Sequence, residues 1–334
     1  MDFNKFLDAL NSNKVAQQAK DSNFAYLREK SLMDRTKLVE FGNLELLARQ
    51  VVEGFITGMH KSPFHGFSVE FAEHRIYNQG ESTRHIDWKL FGRSDRLYTK
   101  KYEEETNLRC QMVIDCSPSM YFPAGEKEHK LMYAVYAAAS LIELLKRQRD
   151  AYGVTLFHEE ILLQTPSLSS PAHQRFVYAE MEKLLSVYAP HQGSDTFLAK
   201  VLNEVAEIIP RRGLVMIFTD FWSSKEEEEE LMNALNHLKH ERHEVVLFHL
   251  FSKKFEQDFE LDQRPYILID METGEEMRML PNEFKKYYQD AYTSGIKDLT
   301  IKCGDLAIDF VPLAIEEGYY EVLTRYLLKR QSLL

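Results

Sequence analysis

Residues 108–119 read LRCQMVIDCSPS: a short, mostly apolar run, Leu108–Ile114, that stops at Asp115 and turns into Cys116-Ser117-Pro118-Ser119. A run of this length and character is a strand, and helix signals follow it from Glu128. Downstream the same alternation repeats. Leu131, Val135, Ala138, Ile142 and Leu145 share one side of a helix over Glu128–Arg147, and Tyr152–Phe157 is a strand. Helices follow at Pro171–Leu185 and Thr196–Ile209, a strand at Gly213–Thr219, a helix at Lys225–Lys239 and a strand at Glu244–Phe251. Strand and helix in alternation imply an α/β fold with a mostly parallel sheet flanked by helices on both faces.

Outward from this core the pattern changes. Residues 1–37 form a polar N-terminal arm, and the segment from Leu38 to Ile56 has the three-to-four-residue period of an amphipathic helix. From Phe67 the period becomes two, with Phe67, Val69 and Phe71 alternating against Ser68 and Glu70. A short helix at Ile86–Phe91 and a strand at Leu97–Tyr102 complete a small β-containing module, so 38–107 reads as helix plus module. The core occupies 108–252. Tyr266–Asp270 and Glu276–Leu280 flank Thr273-Gly274 as a hairpin, making 253–280 an insertion expected to pack with the small module. Residues 281–334 then complete the α/β core with a helix from Pro281, a strand near Ala307–Pro312 and a final helix.

Composition narrows the function classes. A net charge of −11 argues against a nucleic-acid partner, which needs clustered Lys and Arg. Three cysteines without a CxxC pair exclude a disulfide framework and a cysteine zinc site, and fit a reducing compartment. No window approaches the ~20 apolar residues that cross a bilayer, and the N-terminus lacks the apolar stretch of an export signal. A soluble, cytoplasmic protein is expected. No GxxxxGK[ST] string occurs, so an ATPase activity is not expected of this chain.

In a parallel α/β sheet the ligand crevice lies outside the carboxyl ends of the strands, where Asp115, Ser117 and Ser119 fall. A carboxylate followed by hydroxyls two and four residues later offers three oxygens to one hard cation. Two further features sit at other loops: Gly193-Ser194-Asp195-Thr196, which opens a helix, and Thr219-Asp220, which closes a strand. A D-x-S-x-S pattern alone arises by chance in roughly one chain of this length in ten, so the weight rests on the three loops together. Each piece has a plainer reading. Ser117, Ser119 and Thr196 could cap helices, and Asp220 could form an Asx turn.

Asp115, Ser117, Ser119, Thr196 and Asp220 together resemble the metal-ion-dependent adhesion site of von Willebrand factor A domains. The resemblance implies that the first aspartate and the two serines bind the ion directly or through water. It further implies that the threonine coordinates in the partner-bound form, that the last aspartate acts mainly through water, and that a partner's carboxylate completes the shell. Upstream, GMHKSPFHGFSVEF at 58–71 and RIYNQGESTRHIDW at 75–88 resemble the bacterial family catalogued as domain of unknown function 58, with Glu81 where aspartate is usual. That resemblance covers roughly residues 40–330. It implies a von Willebrand factor A-like fold and a role as adaptor for a MoxR-type AAA+ ATPase in chaperone-like assembly or maturation of other proteins.

The expected function is therefore a non-enzymatic, metal-dependent protein-binding module. Mg²⁺ is the expected ion, with Mn²⁺ or Ca²⁺ as alternatives, and a protein offering an acidic residue is the partner. The competing reading is a metal-dependent phosphoester hydrolase, which needs a general base or a second cation about 4 Å away. Around Asp115 the sequence shows no Asp/His cluster beyond Asp220. Arg84, Asp87 and Trp88 read either as a charge pair beside an aromatic that packs the module onto the core, or as a docking surface. Phe221 and Trp222 are likewise an aromatic rim beside the metal or a buried strand end. His237, His240 and His243 recur at intervals of three, but the last two straddle a helix end.

Overall fold

A computed structural model describes residues 44–58, 71–76, 88–94, 97–102, 108–123, 128–186, 198–221, 225–269 and 276–333. The N-terminal arm, most of the strand expected from Phe67, and Arg84, Asp87, Thr196 and Trp222 lie outside them.

Along the chain, α1 (Leu44–Gly58) precedes β1 (Phe71–Ile76), α2 (Trp88–Ser94) and β2 (Tyr98–Tyr102), and β1 pairs antiparallel with β2. There follow β3 (Arg109–Asp115), α3 (Lys130–Arg147), β4 (Ala151–Phe157), β5 (Ile161–Gln164), α4 (Pro171–Ser186), α5 (Leu198–Ile208), β6 (Leu214–Thr219), α6 (Lys225–His240) and β7 (Glu244–Phe251). The antiparallel hairpin β8 (Tyr266–Ile269) and β9 (Glu276–Met279) then stands as its own two-stranded sheet. The chain ends with α7 (Pro281–Asp305), β10 (Asp309–Ala314) and α8 (Tyr319–Leu333).

Six strands form the main sheet in the order β10-β7-β6-β3-β4-β5, all parallel except β5 at the edge. Counted along the chain this is the doubly wound order 3-2-1-4-5-6, and its direction reverses between β3 and β6. The expected α/β architecture, a mostly parallel sheet flanked by helices, is the one observed. β5 was not anticipated: four residues with mixed exposure carry too little pattern to separate a short edge strand from a loop.

β3 lies between β4 and β6 with layers of helix on either side, so residues of both parities are buried. Cys110, Met112 and Ile114 join one apolar cluster with residues of α1, α3, α4 and α8, whereas Val113 joins another with α5, α6 and α7. In α1 the amphipathic stripe Leu44, Leu47, Ala48 and Val52 is buried in the first cluster, and the Leu44 N–H donates to Glu182 on α4 at 2.7 Å. The helix read beside the small module thus lies on the main core.

Within β3, Gln111 is buried but satisfied. Its amide donates to the Thr155 hydroxyl at 3.0 Å, and its oxygen accepts from Ser167 at 3.3 Å. Gly153 makes room for it: a Cβ there would meet Gln111 Oε1 at 2.5 Å and the Thr165 carbonyl oxygen at 2.6 Å. One neighbour is backbone and the other is held by hydrogen bonds, so neither yields cheaply. Gly153→Ala is expected to destabilise the protein by about 1–3 kcal/mol, read as a lower urea midpoint at unchanged slope.

Candidate metal centre

Where strand order reverses in a doubly wound sheet, as between β3 and β6, the carboxyl ends of the strands are the usual place for a ligand, because the connections leave toward opposite faces. Asp115 ends β3 and Asp220 directly follows β6. Asp115 is 1% exposed, and its two oxygens are occupied separately. Oδ1 accepts the Ser117 backbone N–H at 2.9 Å, and Oδ2 accepts the Thr219 hydroxyl at 2.7 Å. Both donors are neutral.

Ser117 leads into a single turn, Pro118–Tyr121, whose proline at the first position needs no N–H partner. The Ser117 hydroxyl makes no capping bond to this turn, which removes the plainer reading for that residue. Instead Ser117 Oγ lies 3.0 Å from Ser119 Oγ, and the Ser119 hydroxyl donates to Asp220 Oδ1 at 3.1 Å. Three of the five expected ligands, Ser117, Ser119 and Asp220, are therefore joined in one chain of contacts. Asp115 is tied to it through the backbone of Ser117 and through Thr219. The remaining one, Thr196, lies outside the described residues.

Electrostatics mark the same place. Burial first, and the neighbouring Asp220 carboxylate second, push the Asp115 carboxyl up to about 7, although the bonds from Thr219 and Ser117 pull the other way. A buried carboxylate held only by neutral donors is a poorly compensated charge, which a cation would relieve. The donor set is hard oxygen throughout, two carboxylates and two hydroxyls, which suits Mg²⁺, Mn²⁺ or Ca²⁺ better than a soft metal. Among the described residues no three His, Cys, Asp or Glu side chains converge, so the fit rests on the serine hydroxyls as well as the aspartates.

Two residues beside the centre escaped the sequence reading. Lys130, in the first turn of α3, has a side chain only 3% exposed, and its Nζ donates to Asp220 Oδ2 at 2.5 Å and to Glu256 Oε1 at 3.0 Å. Burial alone would lower its pKa, but the two carboxylates outweigh that and hold the ammonium above its usual value. The string EKEHKLMY at 126–133 gives no hint that this lysine points inward. His249, across the β6–β7 ladder from Thr219, is buried, its Nε2 has no hydrogen-bond partner, and burial lowers it to about 4. It is a neutral imidazole.

The other candidates are dispersed. Trp88 is 62% exposed, with its ring edge-on to Phe91 at 6.2 Å, so it does not serve as a buried anchor. Phe221 is half-buried against the α5–α6 side of the sheet, its N–H donating to Thr219 Oγ1 at 3.2 Å. The histidine series serves local structure: His237 bonds Asn203 at 2.9 Å, and His243 Nδ1 accepts from the Gly213 N–H at 3.1 Å. No described helix is long and apolar enough to cross a membrane.

Comparison with known proteins gives a family match and several relatives. The family described as "Protein of unknown function DUF58" matches residues 73–296. An uncharacterized protein of Mycobacterium tuberculosis is 25% identical over 234 residues, covering 69% of each chain, and so is one of Mycobacterium bovis. Among solved structures, the conserved hypothetical protein BatB from Bacteroides thetaiotaomicron is similar at a TM-score of 0.37 with 13% identity, over 67% of this chain and 99% of that one. A von Willebrand factor type A protein from Catenulispora acidiphila gives 0.38 and 13% over 70% and 44%. The manganese-loaded TRAP protein of Plasmodium vivax gives 0.33 and 17% over 43% and 57%.

Proposed function

Since this chain belongs to the DUF58 family of proteins of unknown function, we propose that it is a non-enzymatic module that captures a protein partner through a divalent metal ion. Asp115, Ser117, Ser119 and Asp220 would hold the ion, with Thr196 as a fifth ligand, and Mg²⁺ is the favoured occupant. The observation that carries this reading is the contact chain Ser117–Ser119–Asp220 at the strand-order reversal, beside a buried Asp115 that only neutral groups bond. When bound, the ion supplies a Lewis-acidic position to which an acidic side chain of the partner can bind. Ser117, Ser119 and Asp220 hold their oxygens within hydrogen-bond distance of one another, an arrangement that would lower the ordering cost of binding.

As partner we favour a MoxR-type AAA+ ATPase, with the module acting as its adaptor in assembly or maturation of client proteins in the cytoplasm. Arg84, Asp87 and the exposed Trp88 are the second docking surface of this reading, with Phe221 and Trp222 as further candidate partner contacts. Affinity capture with wild type and Asp115→Ala, in Mg²⁺ and in EDTA, tests it. The ATPase should be retained only by wild type in Mg²⁺, and equal capture in EDTA would refute the metal dependence. Turnover of a phosphoester that vanished with Asp115→Ala would instead make the protein a hydrolase.

A further inference from the structure

The candidate centre has a cation built in beside it. Asp220 divides its carboxylate between two neighbours, Oδ1 toward the serine pair and Oδ2 toward the Lys130 ammonium. Lys130 also binds Glu256, whose other oxygen accepts the Ser252 backbone N–H, and the ammonium lies 5.5 Å from the centre of the Phe122 ring. Phe122 meets Phe255 edge-on at 5.7 Å, which closes an aromatic cover over the ion pair. A buried ammonium is costly unless its partners are well placed, and a paired one is hard to displace. Lys130 is therefore a fixed positive charge on the second oxygen of a proposed metal ligand.

We propose that Lys130 is a resident counter-cation that sets how strongly the centre binds metal. Against three carboxylates, Asp115, Asp220 and Glu256, Lys130 sets one positive charge, and it occupies the second oxygen of Asp220, so an arriving divalent ion meets less negative charge than it would without the lysine. The bound ion then keeps more of its positive charge for an acidic partner, at the expense of weaker metal affinity. This inference rests on the metal-binding reading above. A lysine whose service was only to position Asp220 would act in the opposite direction, because its loss would loosen a ligand and weaken metal binding. The sign of the effect separates the two.

Calorimetric titration of the full chain with MnCl₂ reads that sign. Wild type should bind and Asp115→Asn should not, whereas Lys130→Met should bind about tenfold more tightly than wild type. Because Lys130→Met strands two carboxylates, the pair Lys130→Met with Glu256→Gln is measured beside it. That pair keeps the cluster's net charge at the wild-type value while still freeing Asp220, and it should also bind more tightly. Melting followed by circular dichroism identifies which variants are folded. Binding no tighter than wild type in the folded Lys130 variants, with Asp115→Asn inactive, overturns the role of Lys130 and leaves the metal centre standing. No Mn²⁺ binding by wild type removes the metal centre itself, and the counter-cation with it.

Discussion

Asp115→Asn is expected to stabilise the metal-free protein at pH 8 while abolishing its response to Mg²⁺. The asparagine keeps both contacts, its oxygen accepting from the Ser117 N–H and its amide donating to the Thr219 hydroxyl, which occupy the two carboxylate oxygens in wild type. What it removes is a buried charge whose pKa is raised from 3.8 to about 7, by burial first and by Asp220 second. In the unfolded chain this carboxyl loses its proton near pH 4, but in the folded protein it holds the proton until about 7. Between those values the native state binds more protons, so this group makes wild type less stable as pH rises through the window. The gap between variant and wild type should be small at pH 4 and reach on the order of 2–4 kcal/mol above pH 7. Asp150 shifts in the same direction, to about 6, but it is present in both proteins and cancels in the difference. Urea unfolding in EDTA at pH 4.5, 6 and 8 measures the gap, and repetition in Mg²⁺ should raise the midpoint of wild type alone. A gap independent of pH would contradict the buried-charge account, and Mg²⁺ stabilisation of Asp115→Asn would contradict the ligand assignment.

The second large effect lies on the opposite face of the sheet. Phe248 in β7 is fully buried, stacks on Phe218 of β6 at 4.7 Å with planes 4° apart, and meets Tyr326 of α8 edge-on at 5.4 Å. It joins two central strands to the last helix. Phe248→Ala should cost about 3–5 kcal/mol from lost burial and the cavity left behind, with the two ring contacts among the losses. That is a large fraction of the ~5–15 kcal/mol that stabilises an ordinary domain. The urea midpoint should therefore fall steeply at unchanged slope. A loss below about 1 kcal/mol would mean that the rings collapse into the space and that α8 is held by other contacts.

The alternation of buried strand and amphipathic helix was legible from residue 108 onward because each element there carries a full period. Leu131 to Leu145 mark one face of α3, and Val245 to Phe248 form a continuous apolar run on β7. β5, with four residues of mixed exposure, carries no such period. The stripe on α1 was equally plain, but a stripe says only that a helix has a face to bury, and its partners α3 and α4 come from the packing. Trp88 shows the same limit. An aromatic beside Arg84 and Asp87 reads either as a packing anchor or as part of a docking surface, and only the fold leaves it 62% exposed.

Taken alone, the chain specifies a doubly wound α/β core, because hydrophobic periods and strand-end loops are local properties that each segment writes for itself. It also names Asp115, Ser117, Ser119, Thr196 and Asp220, since residue type and spacing are enough to nominate oxygen donors. Only the folded sheet places Asp220, 101 residues on, within 3.1 Å of Ser119. Only folding turns Lys130 inward between Asp220 and Glu256, and strips water from Asp115. The strength of a charge depends on what surrounds it in space, and that neighbourhood is assembled from distant parts of the chain.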